Sequence, residues 1–351
     1  MKLINKTFKN KVILIKDFQM RGNPMAITNR NQLIREVYQL LNKEGFETSN
    51  IYEQSCFDIV ARKKLLILLL KVLVNIDTIN EAHVEEIRQI SNVFLASPII
   101  VGVKSKNHIL EEDVVYERHG LPAIGLETLK NMIVYDEYPE ILADRGGYYV
   151  QINGNILKEY REEYNLSLKD LADLAHVSRA TMYKYENGMV RANTETAMLL
   201  EEILNTKITL DIDLFEPYQE DIKLKADTSN LNQTQGTNAQ NLAKLGFGVV
   251  STNKSPFDAL AKAEIATRKK EQTPLIANLN VQDDQNTKTL KKMAISLKDL
   301  SLVTSSDSFF VLNDDKIKDS IDGIPVIRSW EMKEFENSKE FLKLIKERRN
   351  N

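Results

Sequence analysis

Apolar positions recur along this chain with two different periods, and each change of period marks a new element. Between residues 80 and 96, Val84, Ile87, Ile90 and Phe94 return every three to four positions, the period of a helix with one buried stripe. On either side the apolar residues run together instead, from Leu65 to Val74 and from Pro98 to Val103. Short runs rich in Val, Ile and Leu predict strands, and Leu65 to Leu70 reads as a strand buried on both faces. Strands alternating with helices imply a layered α/β domain with a mixed sheet. From 153 to 206 the period is helical again. Leu168, Leu171, Ala172 and Ala175 share one face of a short helix, and Met182 and Tyr185 share the buried side of the next.

The α/β pattern occurs twice. Leu41-Asn42-Lys43-Glu44-Gly45-Phe46 corresponds to Leu242-Ala243-Lys244-Leu245-Gly246-Phe247, and Phe57-Asp58-Ile59-Val60-Ala61-Arg62 to Phe257-Asp258-Ala259-Leu260-Ala261-Lys262. Gly120-Leu121-Pro122-Ala123-Ile124 corresponds to Gly323-Ile324-Pro325-Val326-Ile327, so order and spacing persist and a duplication is expected. Each copy reads helix, Gly-Phe turn, short strand, Phe-Asp strand, apolar strand, helix, apolar strand, Gly-hydrophobic-Pro strand, helix. Five segments follow from these patterns. A basic arm covers 1–27, with Lys2, Lys6, Lys9, Lys11 and Lys16, and reads as a solvated tail. The first α/β domain covers 28–145 and stops at Arg145-Gly146-Gly147. A helical domain covers 150–210, a polar linker 218–241, and the second α/β domain 242–351, ending in a charged helix. The linker is expected to be flexible, because Thr228 to Ala243 holds no charge and is dominated by Asn, Gln and Thr.

Composition narrows the function. The longest clean apolar run is far too short to span a membrane, and the lysine-flanked N-terminus lacks a secretory signal's apolar core, so a cytoplasmic protein is expected. Cys56 is the only cysteine, and His83, His108, His119 and His176 show no ligand-like spacing, so neither a metal nor another cofactor is expected. A net charge of -3 excludes a protein that coats nucleic acid through a global field; any such affinity must be local.

The helical segment offers a local patch. Ser167 with Asp170 makes an N-cap pair, His176-Val177 a turn, Ser178 the next cap, and Asn187-Gly188 a stop with Gly188 suited to the left-handed conformation. The exposed side of the second helix then carries Arg179, Ala180, Thr181, Tyr183 and Lys184. Arg179 suits a guanine edge, and Ala180 or the Thr181 methyl a thymine methyl. Lys184, Asn187 and Arg191 suit phosphates, as do the backbone amides that follow the caps Ser167 and Ser178. Residues 151–206 hold six Lys/Arg against nine Asp/Glu, but Val177 to Ala192 has Arg179, Lys184 and Arg191 against Glu186 alone. The acids cluster at Glu159, Glu162, Glu163, Glu201 and Glu202.

This pattern, Leu-Ala-x-x-Ala-x-Val-Ser-x-x-Thr-x-Tyr-x-Tyr-Glu-Asn-Gly, closely resembles the Cro/cI helix-turn-helix family. It departs at His176, where the family usually has Gly for a left-handed residue, at a cost of ~1 kcal/mol. The resemblance implies binding of double-stranded DNA. The α/β copies resemble the restriction-endonuclease-like fold, whose active members set an Asp on one strand and an acid-x-Lys on the next around Mg²⁺. Here Asp58 and Lys71 match, but the acid position is Leu69. In the second copy Asp258 persists while the corresponding positions are expected at Asn278 and Asn280. One carboxylate binds Mg²⁺ poorly, so Asp58 and Lys71 read as a vestigial site and the protein as no enzyme. The expected fold class is therefore two restriction-endonuclease-like mixed-sheet α/β domains flanking an all-α Cro/cI-type helix-turn-helix domain.

The whole chain resembles a family of archaeal predicted helix-turn-helix transcriptional regulators, which implies a sequence-specific regulator. A single module of this size gives modest specificity, so a homodimer on a two-fold site is expected. Two alternatives stay open from the residues alone. One is a DNA nuclease or DNA-processing enzyme targeted by the helix-turn-helix. The other is an antitoxin-like scaffold that binds another protein.

Overall fold

The computed structural model describes residues 29–219, 233–263, 273–279, 287–313 and 318–349, so the expected basic arm at 1–27 lies outside the described residues. Helix α1 (Arg30–Lys43) runs through Gly45 into β1 (Glu47–Thr48), and β2 (Ile59–Lys63) and β3 (Leu66–Asn75) follow as a hairpin. Leu65 sits in that hairpin's turn and is 94% exposed, so the run expected to be buried throughout begins outside the sheet. Its neighbour Lys64 takes a φ of 58° to close the turn. Helix α2 (Glu81–Phe94) buries Val84, Ile87, Ile90 and Phe94, as their spacing predicts, and starts at Asn80, whose side chain accepts from the His83 amide. Then come β4 (Ser97–Ser105), β5 (His108–Ile109), β6 (Val114–Arg118), β7 (Leu121–Gly125) and α3 (Leu126–Lys130).

Strands β8 (Ile141–Asp144) and β9 (Gly147–Val150) form a hairpin. Arg145-Gly146-Gly147, expected to be a break between segments, is its turn, because Gly146 supplies a φ of +93°. Four helices carry the next segment: α4 (Gly154–Glu163), α5 (Leu168–Leu174), α6 (Arg179–Glu186) and α7 (Thr194–Leu204). Between α6 and α7 lies β10 (Ala192–Asn193), which pairs antiparallel with β9. Val114, Ile141 and Val150 of the strands share one core with Leu171, Met182 and Leu200 of the helices.

The second segment comprises α8 (Gln233–Lys244), β11 (Phe247–Ser251), β12 (Ala259–Ala263), β13 (Leu275–Asn278), α9 (Thr287–Thr304), β14 (Asp307–Val311), β15 (Ser320–Ile321), β16 (Ile324–Ile327) and α10 (Ser338–Arg349). Its sheet order, β11-β12-β13-β14-β16-β15, repeats β1-β2-β3-β4-β7-β6 of the first. The outer pairs are antiparallel in both copies, and β14–β16 is parallel as β4–β7 is. The matched glycines take matched conformations: φ is 79° at Gly45 and 89° at Gly246, 80° at Gly120 and 83° at Gly323. Residues 233–241, expected to belong to a flexible linker, instead open α8. Polarity did not forbid the helix, because Ala239 and Leu242 are buried and the Asn238 amide donates to the Leu279 carbonyl at 2.7 Å. Phe341 of α10 closes this core edge-on against Phe247, Phe309 and Phe335.

The chain packs as two compact units. One comprises the described residues up to Val37, Val72–Ile79 and Ile99–Leu214; the other comprises Tyr38–Lys71, Asn80–Pro98 and the described residues from Phe215 onward. Packing thus does not follow the chain-order segments 28–145, 150–210 and 242–351: helices α4 to α7 and strands β5 to β10 lie in one unit.

Candidate nucleic-acid interface

The caps expected at α5 and α6 are formed. At α5 the Asp170 amide donates to Ser167 Oγ at 3.1 Å and the Ser167 amide to Asp170 Oδ2 at 2.9 Å. These hydrogen bonds to Ser167 hold the Asp170 carboxyl below its ordinary range. At α6 the Thr181 amide donates to Ser178 Oγ at 3.0 Å, and the two hydroxyls lie 2.9 Å apart. The Thr181 hydroxyl is therefore occupied by the cap. His176 adopts the left-handed conformation that the turn demands (φ 55°), and Gly188 does so after α6 (φ 64°).

Helix α6 is buried on one side through Met182 and Tyr185. Arg179, Ala180, Tyr183, Lys184, Asn187 and Arg191 are exposed, as is Ser167 at the mouth of α5; Thr181 is half-buried. The Asn187 amide donates back to the Tyr183 carbonyl at 2.8 Å. One feature was not legible in the sequence. Arg161 of α4, buried, holds Glu186 through Nε at 2.5 Å and donates through a second nitrogen to the Leu166 carbonyl at 2.8 Å. Glu186 is the single acid between Val177 and Ala192, so its charge is taken up inside the domain and the exposed face of α6 stays basic. Gly154 is equally silent in the sequence: a Cβ there would lie 2.1 Å from the Glu186 carbonyl oxygen, so α4 and α6 approach closely only because it has none. No local signal announces either residue, since both partners lie more than two turns of helix away in sequence.

Beneath α7, the Glu201 carboxylate accepts from the Ile208 and Thr209 amides at 2.9 and 3.2 Å, and the Thr209 hydroxyl lies 2.6 Å from Glu140 and 3.0 Å from Glu201. Burial pushes the Glu201 carboxyl up, with the nearby Glu140 charge adding to it, against the pull of those donors.

The Asp58 region is closed. Asp58 lies one residue before β2, with its amide on the Leu70 carbonyl at 2.8 Å, and Lys71 sits inside β3. Lys71 Nζ lies 3.3 Å from Asp58 Oδ1 and donates to the Ser55 carbonyl at 2.6 Å; Asp58 is fully buried. The loop before Asp58 is covered by the equivalent loop of the second copy: the Cys56 amide and Ser55 hydroxyl donate to the Lys254 carbonyl at 2.5 and 2.9 Å, and Phe57 faces Phe257 at 6.5 Å. Burial pushes the Cys56 thiol up to about 12. The packing is reciprocal, α9 against β2 and α2 against β12. The register corrects one expectation. Ile59 pairs with Leu70 and Ala259 with Ala277, so Leu69 and Lys71 correspond to Ile276 and Asn278, not to Asn278 and Asn280. Asn278 Oδ1 accepts from the Asp258 amide at 3.0 Å, a hydrogen bond within the loop frame rather than a catalytic pair. Asn280 lies outside the described residues. No helix among the described residues is long and apolar enough to cross a membrane.

Comparison with known proteins identifies two segments of the chain. The PD-(D/E)XK superfamily domain is matched over residues 30–139 and the helix-turn-helix family over residues 157–210. Over 324 residues, 92% of this chain and 99% of the other, the chain is 62% identical to a protein of Methanobrevibacter smithii described as "Putative HTH-type transcriptional regulatory protein". A protein of the same description from Methanothermobacter thermautotrophicus is 57% identical over 91% of this chain and 97% of its own length. A similarly described one from Pyrococcus horikoshii is 33% identical over 91% and 98%.

Proposed function

The chain belongs to the archaeal family of helix-turn-helix-type transcriptional regulatory proteins, and from that premise we propose that it reads one double-stranded DNA sequence through α6. The observation that carries this reading is the exposed basic face of α6, with Arg179 and Lys184 outward and Glu186 held inward by Arg161. Arg179, Ala180, Thr181 and Tyr183 meet base edges in the major groove, where the N-terminal half of such a helix lies. Lys184, Asn187 and Arg191 meet phosphates, with the amides behind Ser167 and Ser178. Selection of bound sequences from random DNA tests it. A single enriched motif, bound far more tightly than random DNA at physiological salt, is the expected result; equal binding of both sinks the regulator.

The nuclease-like copies support the reader rather than cut. Leu69 stands where the second carboxylate would, and the second copy's loop packs against the loop before Asp58. Incubation with supercoiled plasmid and Mg²⁺ checks this reading, and cleavage lost on Asp58→Ala would overturn it.

A further inference from the structure

Strands β6, β8, β9 and β10 present one face in two rows. Val114, Ile141, Val150 and Ala192 align across them, and this row is buried in the core shared with the helices. Two residues along, Tyr116, Ala143 and Tyr148 align as the next row, and there the face opens into a cleft of about 950 Å³. A cleft of this size accommodates a metabolite-sized ligand. The small Ala143 between two tyrosine rings provides its depth.

The charges around the cleft are unevenly committed. Asp77 is taken by Arg118 at 2.6 Å, the Ser105 hydroxyl and the Lys106 amide. Asp144 accepts from the Arg145 amide at 2.6 Å, and Glu111 takes the Tyr148 hydroxyl. Those two donors are neutral and leave the carboxylate charges in place, and Glu117 joins them on the lining. Facing these three carboxylates stand Lys106, Arg145 and Arg191, all exposed, brought from three separate turns, and in no ion pair with another described residue.

The geometry points to a binding site for a small polyanion of the nucleoside diphosphate kind, its phosphates on Lys106, Arg145 and Arg191 and its base against the tyrosine rings. Arg191 lies between α6 and β10. An anion that engages it withdraws one of the phosphate contacts assigned above, so occupancy lowers DNA affinity; this second step rests on the DNA-binding reading. Calorimetry on the full chain with ADP and with pyrophosphate, at constant ionic strength and with orthophosphate as control, tests the site without DNA. ADP binding is expected, weakened about tenfold by Lys106→Ala and by Arg145→Ala, the loss of one charge-assisted contact each. Saturating ADP is expected to lower wild-type DNA affinity several-fold, and Arg145→Ala to raise the ADP concentration needed for that effect about tenfold while leaving DNA affinity without ADP unchanged. Absence of heat from both anions at about 1 mM, or affinities unmoved by both variants, overturns the site. So does a loss of DNA affinity in both variants without ADP, which would assign the cleft to flanking DNA phosphates. A chain that binds ADP with this variant pattern but binds no DNA keeps the site and removes the reading of α6 instead.

Discussion

Gly154 and Arg161 do together what neither the caps nor the turn of the helix-turn-helix can do, which is to fix α6 against α4. A methyl at Gly154 would meet backbone atoms of Glu186, not a flexible side-chain end, so the helices themselves must shift. Gly154→Ala is therefore expected to cost about 2–3 kcal/mol, read as a lower urea midpoint, whereas an unchanged midpoint would refute the close approach. The exposed residues of α6 make a different prediction, on binding rather than folding. Arg179→Ala should cost about 1–3 kcal/mol at one base pair and relax specificity there, while Lys184→Ala should weaken all sequences alike and flatten the salt dependence. Competition binding over single-base operator variants separates the two; a uniform loss in Arg179→Ala would remove it from the reading set. The caps, the turn and the buried face of α6 were legible because each is set by neighbours within four residues. Arg161 and Glu186, 25 residues apart, meet only in three dimensions.

Helix α7 is anchored by a buried carboxylate, and that anchor has a sign. Glu201 is held above its ordinary value of 4.5 by burial, so its contribution to stability is present below that value and is lost as pH rises through the raised one. Near neutrality the ionised form carries a cost, which Glu201→Gln removes while keeping an oxygen for the Ile208 and Thr209 amides. The variant should be at least as stable as wild type near pH 7.5 and less sensitive to pH above 5, whereas Glu201→Ala should lose stability at every pH by leaving those amides unsatisfied. Thermal unfolding across the pH range checks both, and a wild-type stability that rises with pH there, with the variant's flat, would reverse the assignment. The strands and helices of the first copy could be read from periodicity. Helix α8 could not, because its polar residues are helical only through what they pack against. The register of the second active-site position was also beyond reach: a two-residue turn joins β2 to β3, but eleven residues separate β12 from β13, so counting along the chain cannot align them.

At the scale of the molecule, the chain repeats one sheet topology before and after its helix-turn-helix segment, as a duplication would. The loops before Asp58 and Asp258 are turned onto each other through Cys56, Phe57, Lys254 and Phe257. Restoring the acid with Leu69→Glu should therefore give no Mg²⁺-dependent nicking of supercoiled plasmid, because the position is buried and the approach covered. Nicking by that variant would mean that the loops part in solution. The same arithmetic sets the stoichiometry on DNA. Reciprocal packing relates the two α/β copies, yet among the described residues the second copy brings no second reading helix, so the internal pairing does not supply a two-fold operator. One reading helix covers only a few base pairs, and selectivity for an operator then requires a second chain. Two chains per site, with half-sites about 10 bp apart or a multiple of the helical repeat, are expected from footprinting and from sedimentation of the complex. A single chain on an unsymmetrical site would instead mean that specificity is completed within the monomer, by contacts beyond α6.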